Sequence, residues 1–283
     1  MIGAVPQHLV DDAVMRALAE DLGLAGDLTS QAALPAESRA TAEIVAREAG
    51  VVAGLALAAA AFRLIGPGVS FSPALADGDG VLPGGVVARV EGPARLVMSA
   101  ERVALNFLNR LSGIATLTRR YVDAVEGTGA RICDTRKTTP GLRAFEKYAV
   151  RCGGGTNHRY ALDDAILIKD NHIAVAGGVA AAYAMAVRNA GHLVAIEIEV
   201  GSLAELEEAL TAGARIVLLD NMENDTLRQA VAITRGRARL EASGGVKLDR
   251  VRSIAETGVD FISTSQITMA APPLDLGLDV VIQ

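Results

Sequence analysis

A chain of 283 residues with 51% hydrophobic side chains and a formal charge of −6 can bury a large core, and its length suits one large domain plus a smaller one. Its acidic balance, with four Tyr, five Phe and no Trp, argues against a nucleic-acid surface, which wants a basic face and stacking aromatics. A small metabolite is the expected partner. Cys133 and Cys152 follow no metal-ligand spacing and cannot form a disulfide framework, so they read as two reduced thiols of a cytoplasmic protein.

The amino-terminal stretch is interrupted by Asp11, Asp12, Glu20 and Asp21 and has no basic n-region, so no secretory signal is expected. The apolar run GVVAGLALAAAAF over 50–62 stops at Arg63 and is shorter than the roughly 20 residues a bilayer requires. It reads as a buried, alanine-rich helix. Strand-like runs are expected over 40–49 and 85–98, with a turn-rich hairpin at 76–85 and a helix through AERVALNFLNRL capped by Ser99. Residues 1–112 thus read as a smaller α+β domain.

Residues 113–271 read as an α/β barrel domain, and from about Ile132 onward the chain alternates β-branched runs with helical stretches. ICDT, AILIKD, VAIEIEV, RIVLLDN, ARLEASGG and VDFISTS recur about every 20 to 30 residues, the rhythm of a parallel sheet or βα-barrel. Ser202 with Glu205 has capping-box spacing, with Gly213 as the stop. Asp249 is expected to cap the helix that ends near Gly258. The tail, 272–283, opens on a proline pair that breaks any helix and ends as a strand expected to return to the first domain's sheet.

Each of the six apolar runs carries polar residues within it or at its end: Asp134, Arg136 and Lys137, then Lys169, Glu197 and Glu199, Asp220, Glu241 and Ser243, and Thr264 and Ser265. Buried charge is costly unless it faces a shared site. In a βα-barrel the C-terminal strand ends build that site. Arg136, Lys137, His158, Arg159 and Lys169 make a cationic mouth suited to a small, multiply anionic ligand, since arginine forks carboxylates and phosphates while lysine supplies a mobile charge. The three glycines of GGGTNHR are costly to order and let backbone approach a ligand while presenting His158 and Arg159.

On adjacent strands, Glu199 and Asp220 offer hard oxygen ligands for a Mg²⁺ that keeps its waters and bridges to substrate phosphates. Period-two alternation sets Glu197 on the same face as Glu199. Spacing alone allows either to be the ligand, or both to partner the lysines instead. Ser243, Gly244 and Gly245 follow one strand and precede a helix, where backbone N–H groups can cup a phosphate. STSQ, after the last strand, is placed to complete that corner.

Taken in order, AERVALNFLNRLSGIAT, DTRKTTPGLRAFEKYAVRCGGGTNHR, LIKDNH, IEIEV, LLDN and ASGG resemble the quinolinate phosphoribosyltransferase family, over essentially the whole chain. The resemblance implies an incomplete TIM-like α/β barrel with an N-terminal α+β open sandwich. It also implies a cytoplasmic homodimer, or higher even oligomer, with shared active sites and no nucleic-acid or membrane partner. The implied reaction joins quinolinate to phosphoribosyl pyrophosphate with Mg²⁺, giving nicotinate mononucleotide, pyrophosphate and CO₂ in de novo NAD biosynthesis.

By the same resemblance Arg136, His158 and Arg159 hold the quinolinate carboxylates, joined by Arg102 from the neighbouring subunit. Lys137 and Lys169 lie between quinolinate and the pyrophosphate. Glu199 and Asp220 face metal and ribose, and Ser243, Gly244 and Gly245 cup the 5′-phosphate. One departure stands out: many members read VGALTHS where this chain has STSQITM, so Thr264 or Ser265 is expected to replace a glycine N–H. Two rivals remain. A paralogue associated with molybdenum transport shares the DTRKT segment but is disfavoured by the intact GGGTNHR and LIKDNH, and Lys169 near a strand end would also suit a Schiff-base aldolase.

Overall fold

The computed structural model describes residues 3–280. In chain order the elements are α1 (Gln7–Leu22), α2 (Leu28–Ala33), β1 (Arg39–Ala46), β2 (Gly50–Val51), α3 (Leu55–Leu64), β3 (Ser70–Pro73), β4 (Gly80–Val81), β5 (Val86–Pro93) and α4 (Ala94–Ala124). There follow β6 (Arg131–Cys133), α5 (Arg143–Cys152), β7 (Ile166–Ile168), α6 (Asp170–Ala176), α7 (Val179–Asn189), β8 (Ile196–Val200) and α8 (Leu203–Thr211). The chain closes with β9 (Ile216–Asp220), α9 (Asn224–Thr234), β10 (Arg239–Ser243), α10 (Leu248–Ala255), β11 (Phe261–Ser263), α11 (Gln266–Met269) and β12 (Leu276–Val280).

Two compact units result: the first takes the chain up to Arg119, then Ala144–Gly154 and the residues from Ala271 on, and the second takes Arg120–Arg143 and Gly155–Ala270. The first unit holds an antiparallel sheet in the order β12-β1-β5-β3. On β1, Ala42, Ile44 and Ala46 are buried and their neighbours are not, the period-two signature of a sheet with one covered face. The tail strand β12 lies against β1, with Ile44 opposite Leu278.

Two local expectations are corrected here. The strand expected over 85–98 stops at Pro93, and α4 starts at Ala94 with its N–H bonded to the Ser38 carbonyl. Ser99 therefore sits inside the helix, its hydroxyl within hydrogen-bond reach of the Arg95 carbonyl and of Asp27. The helix then runs far beyond the expected stretch. Its Gly113 packs on the Pro272 backbone, where a Cβ would overlap, and its Ser112 and Thr116 hydroxyls accept the N–H groups of Ala53 and Val51.

In the second unit all six expected strands form one parallel sheet, in the order β6-β11-β10-β9-β8-β7. Helices follow the strands, and Ser202 caps α8 by accepting the Glu205 N–H at 3.2 Å. Asp249 does not cap α10. The helix starts two residues earlier than expected, Lys247 takes the extended cap position, and Asp249 falls in the first turn, where a negative charge still suits the helix dipole. Consecutive strands pair except β6 and β7, which stand at opposite ends of the sheet, so the barrel is incomplete. Thr156 covers part of the β6 edge, donating to the Ile132 carbonyl at 2.8 Å and accepting the Asp134 N–H at 3.1 Å.

Candidate active site

The C-terminal ends of the second unit's strands carry a buried acidic layer. Asp134, just past β6, is fully buried and accepts hydrogen bonds from the Asn157 amide side chain at 2.5 Å and the His158 backbone N–H at 2.9 Å. The strand edge and Asp134 together fix the GGGTNHR segment at the break in the barrel. His158 is thereby set with Nε2 2.7 Å from Glu197 on β8 and 3.8 Å from Glu241 on β10. Burial, with the Glu197 charge second, pushes the Glu241 carboxyl up to about 7. The ligand atoms of these three residues lie within 4.8 Å of one another, but 2.7 Å is a hydrogen-bond separation, and the arrangement reads as a proton-holding cluster.

Two guanidinium groups belong to the same end of the sheet. Arg136 follows β6 and Arg159 follows His158, and the Nε of each is buried without a hydrogen-bond partner. Burial first, and then Arg136, pushes the Arg159 guanidinium below its ordinary value, so the two cations feel one another. Buried donors are almost always paired in native proteins. Two that are not, in neighbouring cations above an acidic layer, make a seat for a carboxylate-bearing ligand.

Period two carries each strand to a second, more exposed row. On β8, Glu199 pairs with Lys169 at 2.8 Å; at the end of β9, Asp220 accepts the Asn221 amide at 2.8 Å. These carboxylates form an oxygen-only donor set, the chemistry Mg²⁺ prefers. Lys169 is half-exposed and ion-paired, without the apolar enclosure that activates a Schiff-base lysine, which weighs against the aldolase alternative.

A cavity of about 110 Å³ opens beyond β10 and β11, lined among others by Lys137, Ser243, Gly244, Gly245, Lys247 and Ser265. Gly244 and Gly245 have φ of 92° and 61°, the left-handed region that favours glycine. At Gly244 there is also no space, because a Cβ would collide with Asn221. Both replacements expected for the family's glycine line this space, but they differ: the Thr264 hydroxyl is already engaged, donating to the Val246 carbonyl at 3.0 Å and accepting the Gln266 N–H at 3.2 Å. Arg102 lies on α4 in the first unit, largely exposed and 3.9 Å from Glu101.

The description "Quinolinate phosphoribosyl transferase, N-terminal domain" matches residues 27–112, and "Quinolinate phosphoribosyl transferase, C-terminal domain" matches residues 114–279. The chain belongs to the quinolinate phosphoribosyl transferase family. It is 46% identical over 261 residues to the probable nicotinate-nucleotide pyrophosphorylase (carboxylating) of Bacillus subtilis, covering 92% of this chain and 90% of that one. With the nicotinate-nucleotide pyrophosphorylase (carboxylating) of Mycobacterium leprae it shares 43% over 278 residues, covering 95% and 96%. The solved nicotinate-nucleotide pyrophosphorylase of Francisella tularensis superposes with a TM-score of 0.95 at 39% identity, over 99% of both chains. Among the described residues no helix is long and apolar enough to cross a membrane.

For this family member, residue types and spacing pointed to the outer row and passed over the inner one. Asp134, Asn157, Glu241 and Lys247 received no role of their own, and Glu197 only that of an alternative to Glu199. A readable signal did exist. Glu197 and Glu241 each stand two residues before a candidate ligand, inside an apolar strand, and a carboxylate there must meet a partner or a proton.

Proposed function

We propose that this chain transfers the ribose 5-phosphate group of phosphoribosyl pyrophosphate to the ring nitrogen of quinolinate, releasing pyrophosphate and CO₂ and forming nicotinate mononucleotide. The observation that carries the reading is the pair of buried, unpartnered guanidinium nitrogens of Arg136 and Arg159 on the same strand ends as a glycine-walled corner of phosphate size. A compact aromatic diacid suits the first and a sugar phosphate the second.

In this reading Arg136 and Arg159 fork the carboxylates of quinolinate and hold its nitrogen toward C1 of the ribose. Backbone N–H groups of Gly244 and Gly245, with Ser243 and Ser265, hold the 5′-phosphate. As the pyrophosphate bond breaks, positive charge grows on C1 and the ring oxygen and negative charge on the leaving group. Lys137 and Lys169 stabilise the latter, and the Glu199 and Asp220 carboxylates stabilise the former; such preorganised charges act mainly in the transition state. Glu199 and Asp220 would also hold Mg²⁺, whose charge screens the pyrophosphate. Once alkylated, the ring nitrogen draws in the electron pair left when the adjacent carboxylate departs as CO₂, and the resulting carbanion is protonated.

Arg102, on the first unit, is proposed to complete the acid pocket of a second copy, making the active form a homodimer or higher even oligomer in the cytoplasm. The test is an assay for quinolinate-dependent formation of nicotinate mononucleotide and CO₂, with nicotinate as the control acid. A site built for two carboxylates leaves cations unpaired with one and should reject nicotinate by several orders of magnitude. Comparable turnover on both acids would defeat the assignment.

A further inference from the structure

Beside the Arg136–Arg159 seat stands a layer that looks poorly chosen for it: two buried carboxylates, Glu197 and Glu241, next to cations proposed to hold a dianion. Each carries one buried oxygen, Oε1, without a hydrogen-bond partner. Both converge on one side chain, His158, whose Nε2 is 2.7 Å from Glu197 and 3.8 Å from Glu241. The main chain that carries the ring is held in place by its N–H, which is bonded to buried Asp134.

We infer that Glu197 and Glu241 are positioning residues for the acid pocket, holding His158 as a doubly protonated ring so that a third positive charge joins Arg136 and Arg159. The inference rests on the proposed binding of quinolinate. Four elements and their adjoining loops supply the groups that face the ring: Asp134 at the end of β6, Glu197 on β8, Glu241 on β10, which also bonds Ser263 on β11, and Arg136 and Arg159 on the substrate side. Opposite charge within about 4 to 6 Å favours the charged ring, while two like-charged guanidinium groups oppose it. The carboxylates decide the balance, since one is in hydrogen-bond contact. Glu197 carries most of this hold, because burial keeps part of Glu241 neutral near pH 7, which also limits its repulsion of the ligand.

A structural brace would affect folding and leave the ring's proton alone. A charge clamp makes a different prediction, read from the imidazole nitrogen chemical shifts of the full-length protein over a pH series without substrate. The His158 signal is assigned by its loss in His158→Asn. In Glu197→Gln the ring should lose its second proton at least about one pH unit lower than in the wild type, one unit being a tenfold change in protonation equilibrium. Glu241→Gln, which keeps the 2.7 Å contact, should shift it less. Quinolinate affinity by calorimetry should fall about tenfold in Glu197→Gln near pH 8 and agree with wild type near pH 5.5, where both rings are charged.

An unchanged ring titration in Glu197→Gln, or the same affinity loss at both pH values, overturns the inference. Should Glu197→Gln fail to fold, Glu197→Asp lengthens the contact and must move the titration the same way; no movement is again fatal. Wild-type protein that binds no quinolinate at any pH would sink the functional reading instead, and the substrate-free titration separates the two failures.

Discussion

The proposed phosphate corner depends on one close approach, and that approach can be tested by a pair of neighbouring alanines. Gly244→Ala and Gly245→Ala both force a non-glycine residue into left-handed backbone, at about 1 to 2 kcal/mol each. At Gly245 nothing lies within 4 Å of the new methyl, so the cost ends there. At Gly244 the methyl would stand 3.0 Å from the Asn221 nitrogen and nearer still to its side-chain amide. Asn221 must then move, yet it is itself left-handed and held by its N–H to the Ser243 carbonyl at 2.9 Å and its amide to Asp220 at 2.8 Å. Loosening two hydrogen bonds adds about 2 kcal/mol, so Gly244→Ala should cost about 3 to 4 kcal/mol in urea denaturation and Gly245→Ala about half of that. Because Asp220 and the corner move together, the KM for phosphoribosyl pyrophosphate should rise at least about tenfold in the first and much less in the second. Asn221→Gly removes the obstructing amide and accepts the left-handed backbone. Combined with Gly244→Ala it should show a favourable coupling of at least about 1 kcal/mol. Equal stability of the two alanine variants, or zero coupling, would refute the account.

Glu241 links the buried acid layer to pH. Its carboxyl is raised from 4.5 to about 7, so the folded protein keeps a proton the unfolded chain has lost. This contribution is fully present below about pH 4.5 and disappears as pH rises through 7, by about 3 kcal/mol at most. Glu241→Gln should therefore gain on wild type between pH 5 and pH 8 in urea melts; the same difference at both would contradict the burial argument. For the proposed shared site of a homodimer, Arg102→Ala and Arg159→Ala variants should be nearly inactive alone, and refolded together should recover about one quarter of wild-type activity, because half the dimers would be hybrids with one intact site. No recovery despite demonstrated hybrids would place Arg102 outside the partner's site.

Much of this architecture is legible in residue order because each signal is local. The six strands announce themselves as β-branched runs, and Ser202 caps its helix because the capping-box spacing leaves little choice. The misplaced boundaries are those settled by tertiary packing. At 94–98 the sequence ARLVM suits strand and helix alike, and Pro93 with the Ser38 carbonyl decides for helix. The difference between Thr264 and Ser265 was equally out of reach, since the Thr264 hydroxyl is taken by a carbonyl 18 residues earlier.

The order of β6 and β7 explains why the site residues outside the strands cluster where they do. In a closed barrel those two strands would pair, and their edge groups would satisfy one another. Here they do not pair, and the β6 edge is covered instead by Thr156, immediately before Asn157, His158 and Arg159. The missing strand pair is thus what lets a loop enter at the depth of the strands and set an imidazole between carboxylates from β8 and β10. Each of those strands then presents a second polar residue two positions on, Glu199 above Glu197 and Ser243 above Glu241. Alternation forces this layering: whatever the inner row holds, the outer row points the same way. The inner acids hold the loop that carries the cations, and in the proposed function the outer groups are left to meet phosphate and metal. A substitution that closed the sheet by pairing β6 with β7 would cost the inner row its imidazole before it touched the outer one.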